Sequence, residues 1–309
     1  MRHLTVGVFG DEALGKELGK KGTLSDIAMY NRKTDDCVFT FMSPVEDKLT
    51  AKSQIVSVID AAVVVFSQLT RELGETIIML DSAGVTRGIA VTTPYATSEQ
   101  IASLTKDATI KSLQVEPREP GKLLELLNQI NPERDSSPPV LIVVDHSFSV
   151  KGVGEVVLGF VKRGTVRKYD KLTLLPVGKE VLVRSIQVQD EDWEAADAGT
   201  RVGLATKGAG LDELERGAIL TASNQVKASN KLRLSFTKSP FYVEELKEGP
   251  YHATIGMQTA AVTMSDPTPN SLRIESSNPI AFGPQDVAIM LDLNAKRTRI
   301  MGRGVVSDA

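Results

Sequence analysis

The chain has 309 residues, 36 Lys and Arg against 39 Asp and Glu, and a formal net charge of −3. That length exceeds one ordinary core, so two or three domains are expected. The slight acidity argues against a general polyanion binder but leaves room for one local basic face. No apolar run approaches the ~20 residues of a membrane span, no secretory signal precedes the first strand-like run, and the single Cys37 excludes an intrachain disulfide or a Cys-rich zinc site. A cytoplasmic monomer is the expectation.

The first apolar run, Leu4-Thr5-Val6-Gly7-Val8-Phe9, leads into Gly10-Asp11-Glu12-Ala13-Leu14-Gly15-Lys16-Glu17. The spacing is that of G-x-x-x-x-G-K-[ST] after a strand, the loop whose backbone cradles nucleotide phosphates. Its last position departs from the pattern. A Ser or Thr hydroxyl there holds magnesium, and Glu17 puts a carboxylate toward the phosphates instead. Gly10, Asp11, Gly15, Lys16 and Glu17 are therefore the candidate nucleotide or phosphate site, in degenerate form. GTP or GDP with Mg2+ is a weak cofactor candidate. A metal cluster of Asp11, Glu12 and Glu17 is the lesser reading, and no metal site is expected.

Further on, residues 38–41, 61–66 and 88–91 are short, continuously apolar and β-branched, as strands buried on both faces are. Helical texture fills 48–59, 74–82 and 122–130 between and after them. Strand alternating with helix predicts a doubly wound α/β domain over 1–134. Asn131 to Pro139 is a polar, Pro-rich linker. Beyond it the helical signal ends. Strand-like runs recur at 140–144, 154–161, 171–175, 181–188, 200–206 and 218–220, and again at 231–236, 251–257, 260–264, 271–275, 286–293 and 299–306. Short strands separated by turn residues at this spacing predict two β-barrels, over 135–225 and 226–309.

Among other candidates, His3, His146 and His252 have no partner that would make a triad or a metal cluster, so core or surface roles are expected. Phe241-Tyr242 could stack a base or pack a hairpin. Lys162-Arg163 with Arg167-Lys168, and Lys296-Arg297-Arg299-Arg303, are the basic clusters. Either cluster fits a solvated surface as well as an RNA face.

This plan resembles the translation elongation factors of the EF-Tu class, and the SelB branch most. The resemblance is carried by the middle segment: Asp145 to Gly154 for the opening strand and Lys-Gly-x-Gly turn, Gly159 to Val166 for the G-x-V-x-x-G-x-[VIL] hairpin, then Asp170-Lys171-Leu172, Pro176 to Gln187, Ala198 to Leu204 and Glu215 to Leu220. The third segment matches mainly at Arg299 to Val306. Among the family's branches, the pattern of lost motifs is similar to the archaeal SelB-like paralogue labelled a pyrrolysine elongation factor.

The resemblance implies a P-loop GTPase-like doubly wound sheet followed by two β-barrels. It implies a second domain that helps form the pocket for an aminoacylated tRNA 3′ end, and a third that grips the acceptor stem. Aminoacyl-tRNA and the ribosome are the implied partners, with Arg163, Arg167, Arg297, Arg299 and Arg303 as tRNA-binding candidates. It also shows what is missing. Aligned with the family's D-x-P-G-H, Met42-Ser43-Pro44-Val45-Glu46 keeps only the proline. Aligned with N-K-x-D, Thr93-Pro94-Tyr95-Ala96 lacks the lysine and the guanine-selecting aspartate. The stretch from Lys16 to Met42 is too short for an effector switch. No catalytic residue is expected, and GTP binding and hydrolysis are expected to be weakened or lost. A non-standard nucleotide switch and a pseudo-GTPase that binds a protein partner remain the alternatives.

Overall fold

The computed structural model describes residues 1–308. It packs as two compact units. One comprises 1–132 with 237–245 and 289–303; the other comprises 133–236, 246–288 and the chain from 304 onward.

The N-terminal part is a seven-stranded sheet with helices. Its elements are β1 (Arg2–Phe9), α1 (Glu12–Leu18), β2 (Lys20–Leu24), β3 (Ile27–Lys33), β4 (Cys37–Pro44), α2 (Leu49–Val56), β5 (Ala61–Val65), α3 (Arg71–Ser82), β6 (Gly88–Thr92), α4 (Ser98–Thr105), β7 (Gln114–Pro117) and α5 (Pro120–Leu127). The order is β2-β3-β4-β1-β5-β6-β7. β4, β1, β5, β6 and β7 run parallel, and β2 and β3 add an antiparallel edge. All residues of β4 and β5 are buried, as continuous apolar strands between two helix layers must be. Phe39, Phe41, Val63 and Leu123 anchor this core. The turns after β1, β4, β5, β6 and β7 gather at the carboxyl edge of the parallel strands, where open α/β sheets bind ligands.

Next come β8 (Leu141–Val150), β9 (Gly154–Arg163), β10 (Thr165–Arg167), β11 (Lys171–Leu175), β12 (Lys179–Val188), β13 (Glu191–Trp193), β14 (Ala195–Asp197), β15 (Arg201–Lys207) and β16 (Ile219–Thr221). The sheet β11-β16-β8-β9-β15-β12 closes through a β11–β12 pairing. Val144, Val161, Ile186 and Leu204 fill its interior from alternate positions. The last six strands, β17 (Lys227–Lys238), β18 (Gly249–Ile255), β19 (Gln258–Thr268), β20 (Ser271–Phe282), β21 (Val287–Leu291) and β22 (Ile300–Asp308), form a closed barrel in the order β17-β20-β19-β18-β21-β22. The expected class, a doubly wound GTPase-like sheet followed by two β-barrels, is therefore the observed one. Three elements of the first sheet, β2, β3 and β7, and the helix α4 carry no strong periodic signal and are additions to the sequence reading. No helix among the described residues is long and apolar enough to cross a membrane.

Candidate functional site

Gly10 follows β1 at φ +83°, and a Cβ there would lie 2.2 Å from the Val65 carbonyl oxygen. Only glycine lets β1 turn so close to β5. Gly10→Ala is expected to cost about 2 kcal/mol, read as a lower thermal midpoint with no change in the far-ultraviolet spectrum.

Beyond Gly10 the geometry departs from a phosphate loop. Such a loop arcs around its ligand with backbone N–H groups pointing inward. Here α1 begins at Glu12, and the Asp11 carboxylate accepts hydrogen bonds from the N–H groups of Ala13 (2.9 Å) and Leu14 (3.4 Å). Asp11 is a strong N-cap, and Glu-Ala-Leu favours helix, so the segment closes on itself. The first free N–H groups of α1 thus meet the protein's own carboxylate.

Arg118, just past β7, ties this arrangement down. Its Nε donates to Asp11 Oδ2 at 2.7 Å, and Nη1 and Nη2 donate to Glu17 at 3.0 and 2.8 Å. Hydrogen bonds from Arg118 hold the Glu17 carboxyl below its ordinary pKa. Lys16, the lysine of the motif, has a side chain 62% exposed and pairs with Glu12 at 3.6 Å. Gly15 is a packing residue: a Cβ there would come within 2.8 Å of the Tyr30 ring. Of the five motif residues, Gly15, Lys16 and Glu17 lie on α1, Asp11 caps it and Gly10 turns the chain into it, which makes a capped helix and not an open cradle.

A cavity of about 330 Å³ lies beside them at the carboxyl ends of β1, β4 and β5. Asp11, Glu12, Glu46, Asp47 and Glu72 line it, and Lys52 is its single basic lining residue. Lys52 is itself buried and committed: Nζ donates to Asp47 Oδ2 (2.6 Å), Thr76 Oγ1 (2.9 Å) and the Glu72 carbonyl (3.2 Å). Burial pushes its pKa down, against the pull of Asp47. The lining thus holds five carboxylates and one ammonium. In the segment expected to align with N-K-x-D, Ala96 is fully buried and Tyr95 is 69% exposed. Met42 is likewise buried in β4 and offers no oxygen to a metal.

The basic candidates divide. Arg167, Arg297 and Arg303 are exposed. Arg163 is half-buried, with Nε donating to the Pro139 carbonyl at 3.0 Å. Arg299 differs from the expectation of a residue held out for RNA. Its backbone N–H and its Nε each donate to Glu75 Oε1 at 2.9 Å, and Nη2 reaches Glu75 Oε2. Glu75, on α3, has a side chain only 1% exposed. The cation is spent inside the protein because α3 presents a buried carboxylate to it, which no local sequence window reveals.

The first barrel holds a polar centre that the sequence motifs contain without marking. Register shifts between Val144 and His146, which makes Asp145 the extra residue of a β-bulge in β8. Bulges re-aim side chains and are over-represented beside functional sites. Asp145 is buried, and Arg201, at the start of β15, donates to its Oδ2 from Nε (2.9 Å) and Nη2 (2.7 Å). The Arg201 guanidinium stands 5.9 Å from the centre of the Phe160 ring, within cation–π range. Arg216 Nε donates to the Asp145 carbonyl at 3.2 Å. Asp145 Oδ1 is buried with no hydrogen-bond partner among the described residues. A charged residue directly after the apolar run 140–144 is the signal that could have found it.

Comparison with known proteins agrees with this anatomy. Residues 154–221 match the family model "Elongation factor Tu domain 2". Uncharacterized protein MJ0325 of Methanocaldococcus jannaschii is 36% identical over 308 residues, covering 98% of this chain and 99% of that protein. The chain belongs to the MJ0325 family. Its first barrel matches EF-Tu domain 2, and over 103 residues the chain is 41% identical to the selenocysteine-specific elongation factor of M. jannaschii, covering 33% of this chain and 22% of that protein. The sequence likeness to the EF-Tu/SelB class thus covers about a third of the chain. The fold of SelB from Methanococcus maripaludis, in complex with the GTP analogue GPPNHP, superimposes with a TM-score of 0.83 at 22% identity, over all of this chain and 79% of that one. A bacterial selenocysteine-specific factor gives 0.82 at 19%, over 99% of this chain and 58% of that one.

Proposed function

We propose that this EF-Tu/SelB-class homologue binds the aminoacylated 3′ end of a specialised tRNA in the cytoplasm and does so without a GTP cycle. The observation that carries the reading is the closure of the nucleotide end: Asp11 caps α1 where a phosphate would sit, and Arg118 fastens both Asp11 and Glu17. The RNA side is supported by the first barrel, which keeps the EF-Tu sequence pattern and adds a buried carboxylate oxygen that lacks a donor among the described residues. An ammonium or hydroxyl of an aminoacyl group supplies such a donor, and satisfying a buried acceptor is worth about 1–3 kcal/mol. Cargo candidates are tRNAs charged with unusual amino acids. Selenocysteine is suggested by the M. jannaschii relative and pyrrolysine by the resemblance to the SelB-like paralogue.

The test is a titration of the purified chain with a fluorescent GTP analogue and Mg2+, followed by aminoacylated against deacylated tRNA. We expect no nucleotide binding up to millimolar concentration, with Lys16→Ala indistinguishable from the parent, and tighter binding of the charged tRNA. Micromolar nucleotide affinity abolished by Lys16→Ala would revive the switch. Absence of any tRNA binding would leave a pseudo-GTPase that meets a protein partner.

A further inference from the structure

We propose that the edge formed by β2 and β3, with Lys16 of α1 beside it, is a docking face for an RNA phosphodiester backbone; this rests on the RNA-binding reading above. Residues 16–33 hold five cations, Lys16, Lys20, Lys21, Arg32 and Lys33, and two carboxylates, Glu17 and Asp26, in a chain whose net charge is −3. Glu17 faces Arg118, and Lys16 faces Glu12 at 3.6 Å, so the net positive charge lies on the strands. All five cations are exposed.

Strand register sorts them. Lys21 lies opposite Tyr30 and Lys20 opposite Asn31, and directly opposed residues of an antiparallel pair share a face. Lys21, Tyr30 and Arg32 therefore share the α1 side, where Arg32 Nη1 reaches the Leu18 carbonyl at 3.4 Å. Gly15 packs on the Tyr30 ring, which stations Lys16 on the same side. Lys20 and Lys33 share the opposite side. The outermost strand thus presents cations on both sides of its free edge, a shape that suits a passing phosphate backbone and gives no single pocket for a small anion. This hairpin occupies the stretch where the sequence is too short for an effector switch.

An edge strand has another reason to carry lysine, which is to deter pairing with other chains. The two roles make different predictions. Lys20→Ser/Lys21→Ser, alone and with Lys16→Ala, would be compared with the parent for binding a 3′-CCA-ended RNA hairpin over a salt series, with Lys106→Ser just past α4 as the control. If the edge meets phosphates, the double variant binds about tenfold more weakly at 0.1 M salt, and the slope of log affinity against log salt falls by about one per cation removed. The control leaves both unchanged. RNA binding with an unaltered slope, together with self-association of the double variant on size exclusion, overturns the docking face and leaves the functional reading intact. A parent chain that does not bind the hairpin overturns both.

Discussion

Replacing Arg299 by alanine is expected to lower the thermal midpoint by roughly 5–10 °C. Glu75 is almost fully buried, and Arg299 supplies two side-chain nitrogens and a backbone N–H to it. Removing one partner of a buried ion pair leaves an uncompensated charge, at about 3–5 kcal/mol. Two features reduce that figure here. Arg299 is 26% exposed, and Arg71 remains 3.2 Å from Glu75. About 2–3 kcal/mol then translates into that shift for a cooperative unit of this size. Replacing both residues by leucine is expected to cost less than Arg299→Ala alone, because no charge is stranded. The pH dependence has a definite sign. Burial alone would raise the Glu75 pKa, but the hydrogen bonds and charge of Arg299, with the charge of Arg71, outweigh it and hold the carboxyl below its ordinary value. A depressed carboxyl stabilises the fold fully above the unfolded value of about 4.3 and loses that contribution as pH falls through the lower folded value. The gap between parent and Arg299→Ala should narrow in that acid range. A midpoint shift under 1 °C at neutral pH would show that the pair contributes nothing.

The same residue marks where sequence reading succeeds and where it stops. The barrels were legible because their physics is local: apolar alternation and turn glycines repeat every few residues, and β11 (Lys171–Leu175) coincides with its predicted run. The parallel strands were legible because burial on both faces makes them continuously apolar. β2 was not, since an exposed edge strand rich in Lys and Gly carries no periodic signal. The Gly10–Glu17 motif records spacing but not conformation. Whether Asp11 binds phosphate through its backbone or caps a helix with its side chain depends on Arg118, 107 positions away. Glu75 and Arg299 are 224 positions apart, and each alone reads as surface charge. Long-range ion pairs decide the candidate site, and they are the feature a linear motif leaves out.

The second large effect is expected at Asp145. Arg201→Ala strands a carboxylate whose side chain is fully buried, and its cost should lie at the upper end of the buried-pair range, about 3–5 kcal/mol. We expect that variant to lose the cooperative melting of the first barrel. Asp145→Asn is the informative companion. It keeps the shape and an oxygen for Arg201 Nε and Nη2, which donate at 2.9 and 2.7 Å in the parent, so its stability cost should stay near 1–2 kcal/mol. What it changes is the second oxygen. Oδ1 is buried without a partner, and the amide replaces that anionic acceptor with a neutral group. If the oxygen awaits a donor on an aminoacyl group, the preference for charged over deacylated tRNA should fall about tenfold or more, since hydrogen bonds to charged groups contribute about 1.5–3 kcal/mol. Affinity for the uncharged RNA, held by phosphate contacts, should barely move. The opposite pattern, an unchanged preference with a large loss of stability, would make Asp145 a structural ion-pair partner and return the search for the aminoacyl pocket to the exposed face of the barrel. The β-bulge argues for the first outcome. A residue needed only to anchor Arg201 could sit in regular register, whereas Asp145 is the extra residue between Val144 and His146 and one of its buried oxygens has no partner among the described residues.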